Sequence, residues 1–170
     1  KYIKSTWKEL DKADLKLANG SVVKRRLEGC GIKNNVKVLP ILRDFDKEIR
    51  SGEGVKEKYN LKEIVVSFIG SLNYHKGIMN MLKIMPSILS KGRISFLIVG
   101  DGPLYDEIKN KNLSDVVLTG RLDKEEVKGV YSVSDIVLLP SVWQEPLSGI
   151  LLEAAANNKV VISSNTGGSP

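Results

Sequence analysis

Two glutamates, Glu145 and Glu153, stand eight residues apart late in the chain, the first in a loop containing tryptophan and proline, the second among leucines and alanines. On one continuous helix that spacing would separate them by about 12 Å. Two carboxylates that share acid–base work on a glycosidic bond sit closer, at roughly 5–9.5 Å. Carboxylates placed this way instead suit the two ends of one ligand. Glu153, set against an apolar wall, needs hydrogen-bond donors, and sugar or ribose hydroxyls are donors of the right kind. A third charged candidate, Lys76, closes the run Gly70-Ser71-Leu72-Asn73-Tyr74-His75-Lys76-Gly77. Glycines let a ligand approach the backbone, and a lysine at the start of a helix makes a phosphate site, because the helix N-terminus carries about half a positive charge and free N–H donors. Gly100-Asp101-Gly102-Pro103 invites a dinucleotide reading, but the third glycine of GxGxxG would fall on Tyr105, which leaves a simple strand-to-helix turn. His75 is the single histidine, so a multi-histidine metal site is excluded, and it reads as structural or solvent-facing.

These residues fall at the ends of short apolar runs. Ile64–Ile69, Ile94–Val99, Val116–Leu118, Ile136–Leu139 and Val160–Ile162 are continuous rather than alternating, as strands covered on both faces read. Each interval is long enough for a crossover helix. The pattern predicts an α/β fold with a Rossmann-like, doubly wound parallel sheet. In such a sheet ligands bind beyond the carboxyl ends of the strands, so the loops after Ile69, Val99, Leu118 and Leu139 should share one rim. Helices are predicted at Ile78–Leu89, kinked or shortened by Pro86; from Pro103 to about Lys111; from a capping box of Asp123 and Glu126 to about Ser132; and from about Ser148 to a stop at Asn157-Asn158. Residues 1–45 form a different piece, with helix-like Thr6–Lys12, strand-like Leu15–Ala18, a helix Ser21–Glu28 and a strand Val36–Leu39. An irregular Pro40–Asp46 and the polar Glu48–Tyr59 place a boundary near residues 40–60.

Composition narrows the function classes. The 170 residues are 42% apolar and 27% charged, ordinary for a folded soluble domain. No apolar run approaches the roughly 20 residues of a membrane span. Cys30 is the only cysteine, which excludes an internal disulfide and fits a reducing compartment. The net charge of +6, from 26 Lys+Arg against 20 Asp+Glu, suits nucleic acid, a membrane surface or a phosphorylated small molecule. The basic residues are scattered and only 6% of the chain is aromatic, which argues against a nucleic-acid platform. Most of the lysines read as solvated helix faces. A first residue Lys1 and a final turn Thr166–Pro170 predict a chain cut at both ends.

In order along the chain, FIGSLNYHKG (Phe68–Gly77), IVGDGP (Ile98–Pro103), TGRL (Thr119–Leu122), SDIVLLPSVWQEP (Ser134–Pro146) and SGILLEAAANNKVVISSNTGGSP (Ser148–Pro170) resemble the nucleotide-sugar-binding domain of GT-B glycosyltransferases of the retaining family 4, or group 1. Glu145 and Glu153 with Val160–Ile162 and Gly167-Gly168-Ser169-Pro170 are the most specific part. The resemblance implies that residues 1–45 are a remnant of the acceptor-side domain and linker, and 46–170 the incomplete donor domain. It implies that Lys76 and Glu145 are catalytic. Lys76 would contact the donor diphosphate, and Glu145 would hold hydroxyls of the transferred sugar. Glu153 would hold the ribose, the amides of Leu147, Ser148 and Gly149 would bind phosphate, and Gly70 and Ser71 would border the same site. Gly100, Gly102, Leu118, Gly120 and Arg121 would line the base.

The implied reaction moves a sugar from a UDP- or GDP-linked donor to a sugar, lipid-linked or polysaccharide acceptor with retention. It requires no metal or further cofactor and involves no nucleic acid. The implied location is the cytoplasm or the cytoplasmic face of the membrane, where a basic surface would help a peripheral enzyme. By itself this stretch should bind donor weakly and transfer nothing. The chain departs from the family at Ser71, where an arginine is common, so half of the Arg/Lys diphosphate clamp is missing, and Arg121 is the candidate to supply compensating charge. It departs again at Pro146-Leu147-Ser148-Gly149, in place of glycine-aromatic-glycine, and at Ile41-Leu42-Arg43-Asp44 in the linker. An epimerase or a non-catalytic nucleotide-sugar binder on the same architecture is the alternative. A Rossmann dehydrogenase lacks both its third glycine and the acidic residue about 20 positions on.

Overall fold

The computed structural model describes residues 2–40 and 54–169. The chain divides into two compact units. One gathers residues 2–40 with Gln144–Ser148 and residues 165–169, and the other residues 54–143 with Gly149–Ser164. The expected linker Ile41–Asp44 and the terminal Pro170 lie outside the described residues.

The larger unit is built on a five-stranded sheet in the order β5-β4-β3-β6-β7, with β3 Ile64–Ile69, β4 Ile94–Val99, β5 Val116–Gly120, β6 Ile136–Leu139 and β7 Val160–Ser163. All four pairings are parallel. Alternate residues of the central strands feed two cores. Val66, Phe68, Phe96 and Ile98 join Ile78, Met81, Leu82 and Met85 of helix α4 (Ile78–Leu89) and Ile108 of α5 (Tyr105–Asn110). On the other face Val65, Leu97, Val99 and Val137 join Val130, Tyr131 and Val133 of α6 (Lys124–Val133) and Ala154 of α7 (Gly149–Ala156). Both faces are therefore dry, which is why these runs are apolar without alternation, broken only by buried Ser67 in β3 and Ser95 in β4. The one polar residue at the centre of β3, Ser67, is fully buried and shares a hydrogen bond with the Ser134 hydroxyl, which donates to the Val130 carbonyl. Satisfied in this way, it costs little.

Local rules account for most helix ends, and two expectations need correction. Asp123 accepts from the Glu126 N–H at 2.8 Å and Glu126 returns the bond at 3.1 Å, the expected capping box. Asn158 takes φ 55° and Lys159 N–H reaches back to the Ala154 carbonyl, ending α7 as expected. Pro86, however, does not end α4. Its ring is exposed, and the helix continues to Leu89 with the Ser90 N–H donating to the Pro86 carbonyl. A proline removes its own donor, but the carbonyls beyond it still bond. Helix α5 starts at Tyr105, not Pro103, because the Leu104 N–H is drawn to the Leu72 carbonyl of a neighbouring loop.

The smaller unit pairs β1 (Lys16–Ala18) with β2 (Val36–Val38) in parallel, joined through α2 (Ser21–Gly29), and begins with α1 (Tyr2–Asp11). Its core is small: Ala18, Ile32 and Val36, with Trp7, Val23 and Leu27 against them. No helix among the described residues is long and apolar enough to cross a membrane.

Candidate active site

Strand order reverses beside β3: the chain runs outward through β4 and β5, then returns to lay β6 on β3's other edge. In an open parallel sheet the ligand crevice lies at this reversal, outside the strands' carboxyl ends. The loops that follow β3 and β6 flank it. The first is fixed by Asn73, whose Oδ1 accepts from the Lys76 N–H at 3.1 Å while its Nδ2 donates to Ser71 Oγ at 2.9 Å. This cap winds Tyr74–Lys76 into one 3-10 turn, so half-buried Lys76 stands just before α4 rather than inside its first turn. Gly77 then turns the chain at φ 71°, where a Cβ would overlap the Pro140 carbonyl oxygen of the loop after β6. That loop is stitched down again by Val142 and Trp143, whose N–H groups both point at the His75 carbonyl, at 3.0 and 3.3 Å. The exposed His75 ring meets Trp143 edge-on at 5.7 Å between centroids. His75 thus joins two loops, in line with its structural reading.

The remaining rim residues follow the same logic. Gly70 N–H donates to the Val99 carbonyl, Leu72 N–H to that of Asp101 and Gly100 N–H to that of Gly120, so three consecutive loops are zipped side by side. Gly100 approaches Gly70 so closely that a Cβ would overlap the Gly70 carbonyl oxygen. Gly102 N–H is turned in to the Asp101 carboxylate at 2.7 Å. The glycines therefore have a packing reason as well as a ligand one. Leu118 packs on the core with Ile98, and Arg121, just past β5, is exposed. Glu153 lies half-buried in α7 and accepts a hydrogen bond from the Tyr131 hydroxyl at 3.0 Å.

Tyr131 was not foreseen. It is 2% exposed and its periodicity in α6 marks only a core position, since nothing in sequence pairs it with a residue two elements later. The need of Glu153 for a donor was foreseen, and one such donor is the protein's own.

Lys76, Ser71, Gly70, Gly100, Gly102, Leu118, Gly120, Arg121, Gly149 and Glu153 all belong to the larger unit. Glu145, Leu147 and Ser148 belong to the smaller one. There Glu145 is half-buried, its carbonyl accepts the Gly168 N–H at 2.7 Å, and Ser148 is buried. Glu145 is not on α7, so the helical spacing between the two glutamates does not apply. Among the described residues no three His, Cys, Asp or Glu side chains gather to hold a metal ion. The larger unit carries both a cation, Lys76, and a carboxylate, Glu153, residue types suited to a ligand with both phosphate and hydroxyl groups.

Residues 63–170 match the family described as glycosyl transferases group 1. An uncharacterized glycosyltransferase of Methanocaldococcus jannaschii is 32% identical over 62% of this chain and 28% of its own length. The GPI3 subunit of phosphatidylinositol N-acetylglucosaminyltransferase from Saccharomyces cerevisiae is 31% identical over 79% of this chain and 31% of its own. The crystal structure of Anabaena HepE in complex with UDP and glucose superposes with a TM-score of 0.80 at 17% identity, over 98% of this chain and 50% of that one. The fold is the Rossmann-like half of a GT-B glycosyltransferase. The chain spans about a third or less of the curated relatives' length.

Proposed function

Since the chain belongs to the glycosyl transferases group 1 family, we propose that it is the donor-binding part of a retaining glycosyltransferase using a UDP- or GDP-linked sugar. The observation that carries this reading is the placement of Lys76 and Glu153 in the same unit, with Lys76 held before α4 by Asn73 beside the strand-order reversal. The binding of UDP and glucose by Anabaena HepE supports the same donor class.

In this reading Lys76 faces the donor diphosphate and offsets the negative charge that grows on it as the sugar–phosphate bond breaks. Glu153, oriented by Tyr131, accepts from ribose hydroxyls. Glu145 accepts from the transferred sugar, and the amides of Leu147, Ser148 and Gly149 lie against phosphate. Gly100, Gly102, Leu118 and Gly120 border the base, and Arg121 replaces the charge absent at Ser71. No metal is required. An acceptor hydroxyl attacks from the face the diphosphate leaves, which retains configuration. Acceptors of the polysaccharide, lipopolysaccharide or glycolipid kind fit, the lipid-linked ones at the cytoplasmic membrane face.

The test is calorimetric titration of the full-length protein with UDP and with GDP. Lys76→Ala and Glu153→Ala should each weaken the preferred nucleotide by about tenfold or more, the worth of a hydrogen bond to a charged group. Unchanged affinity in both variants would overturn the reading.

A further inference from the structure

The segment Thr166-Gly167-Gly168 follows β7. It belongs to the same unit as the Glu145 loop, and the two pack backbone to backbone. Gly168 N–H donates to the Glu145 carbonyl at 2.7 Å. A Cβ at position 167 would overlap that same carbonyl oxygen and come within 2.6 Å of the Glu145 nitrogen. A Cβ at position 168 would overlap the carbonyl oxygen of Pro146. A Cβ at Gly20 would lie 2.8 Å from that same Pro146 oxygen. The backbone from Gln144 to Pro146 is thus approached too closely by these glycines to leave room for a Cβ, and main-chain atoms cannot yield as a flexible side chain can.

We propose that Gly167 and Gly168 are positioning residues for Glu145: they form a backbone latch that fixes where its carboxylate stands. This rests on the reading of Glu145 as the residue that holds the transferred sugar. A side chain at either position forces the Glu145–Pro146 backbone outward and moves the carboxylate, and a displacement of about 1 Å at a reacting group can cost on the order of a hundredfold in rate.

The experiment measures donor turnover by the full-length protein with UDP-glucose or GDP-mannose, whichever nucleotide binds, beside affinity for the nucleotide alone. Gly168→Ala should lower kcat by about 10- to 100-fold and nucleotide affinity by far less, the Pro146 carbonyl it displaces sharing a peptide plane with the Leu147 amide. Gly167→Asn should do the same, because asparagine accepts the φ of 61° found there but still carries the Cβ. Gly92→Ala is the control, since Gly92 has φ 79° with nothing within 4 Å of a Cβ, and it should keep the parental rate. In a Glu145→Ala background, Gly168→Ala should cause no further loss. The proposal is overturned by parental kcat in both latch variants, by an equal further loss in the Glu145→Ala background, or by nucleotide binding lost in step with kcat. Parental kcat in Glu145→Ala alone would instead remove the role of Glu145 on which the proposal stands.

Discussion

In the larger unit every residue of Val65–Ile69 is at most 7% exposed, whereas in the smaller unit Leu17 of β1 and Val38 of β2 are 57% and 40% exposed. Both sheets are parallel, so pairing does not account for the difference. Helices cover both faces of the larger sheet, whereas Leu17 alternates with buried Lys16 and Ala18 and lies on the exposed face of the small sheet, and Val38, in register with Ala18, sits at the last position of β2. The same unit buries Lys16, 4% exposed, in place of its leucine neighbour. Its ammonium donates to the carbonyls of Ala13 at 2.8 Å and Asn34 at 3.2 Å. A strand with an apolar side chain outward and a charged one inward shows that hydrophobicity alone does not choose the buried face when the core is this small.

The contrast can be broken most directly at its deepest points. Leu97→Ala, at a side chain with no exposure, should cost about 2–5 kcal/mol of unfolding free energy in urea. Leu17→Ala should cost under about 0.5 kcal/mol, as for other surface changes. Equal losses would mean that β1 is buried in solution.

A smaller effect is expected at Tyr131→Phe, which keeps the ring in its core and removes the hydroxyl that serves Glu153. About 0.5–1.5 kcal/mol of stability should be lost in urea unfolding, together with a measurable weakening of nucleotide binding in calorimetry. The smallest effect concerns Glu63, whose carboxyl is held below its ordinary pKa of 4.5 by hydrogen bonds from Arg93 and then by that guanidinium's charge. The guanidinium donates to the two carboxylate oxygens at 3.0 and 2.6 Å. A lowered carboxylate pKa stabilises the fold above 4.5, and that contribution fades as pH falls from 4.5 through the lowered value. Glu63→Gln should therefore narrow the difference in melting temperature between pH 6 and pH 3 only slightly, and 1 M salt should erase the change, because the pair is exposed.

Much of this was readable before any coordinates. Continuous β-branched runs bounded by glycine mark strands covered on both faces because only such strands can be apolar at every position. Asp123 with Glu126, and Asn158, mark helix ends because their bonds are local. Lys76, Glu145 and Glu153 stood out because charge beside glycine or inside an apolar helix needs a reason. Where the expectations erred, at Pro86 and Pro103, a local rule met a partner from elsewhere in the fold or a bond the proline left intact.

The sequence by itself determined which residues are candidates for chemistry, the class of fold that must hold them and the family to which the chain belongs, since residue type, period and motif order are properties of the chain. Only the tertiary structure decided that Tyr131 serves Glu153, that the carbonyl of His75 ties two loops together, that Lys16 is buried while Leu17 is not, and that Gly167 and Gly168 enclose the backbone of Glu145. Each of these depends on contacts between residues far apart in sequence, and those distances become short only when strands, helices and loops have packed.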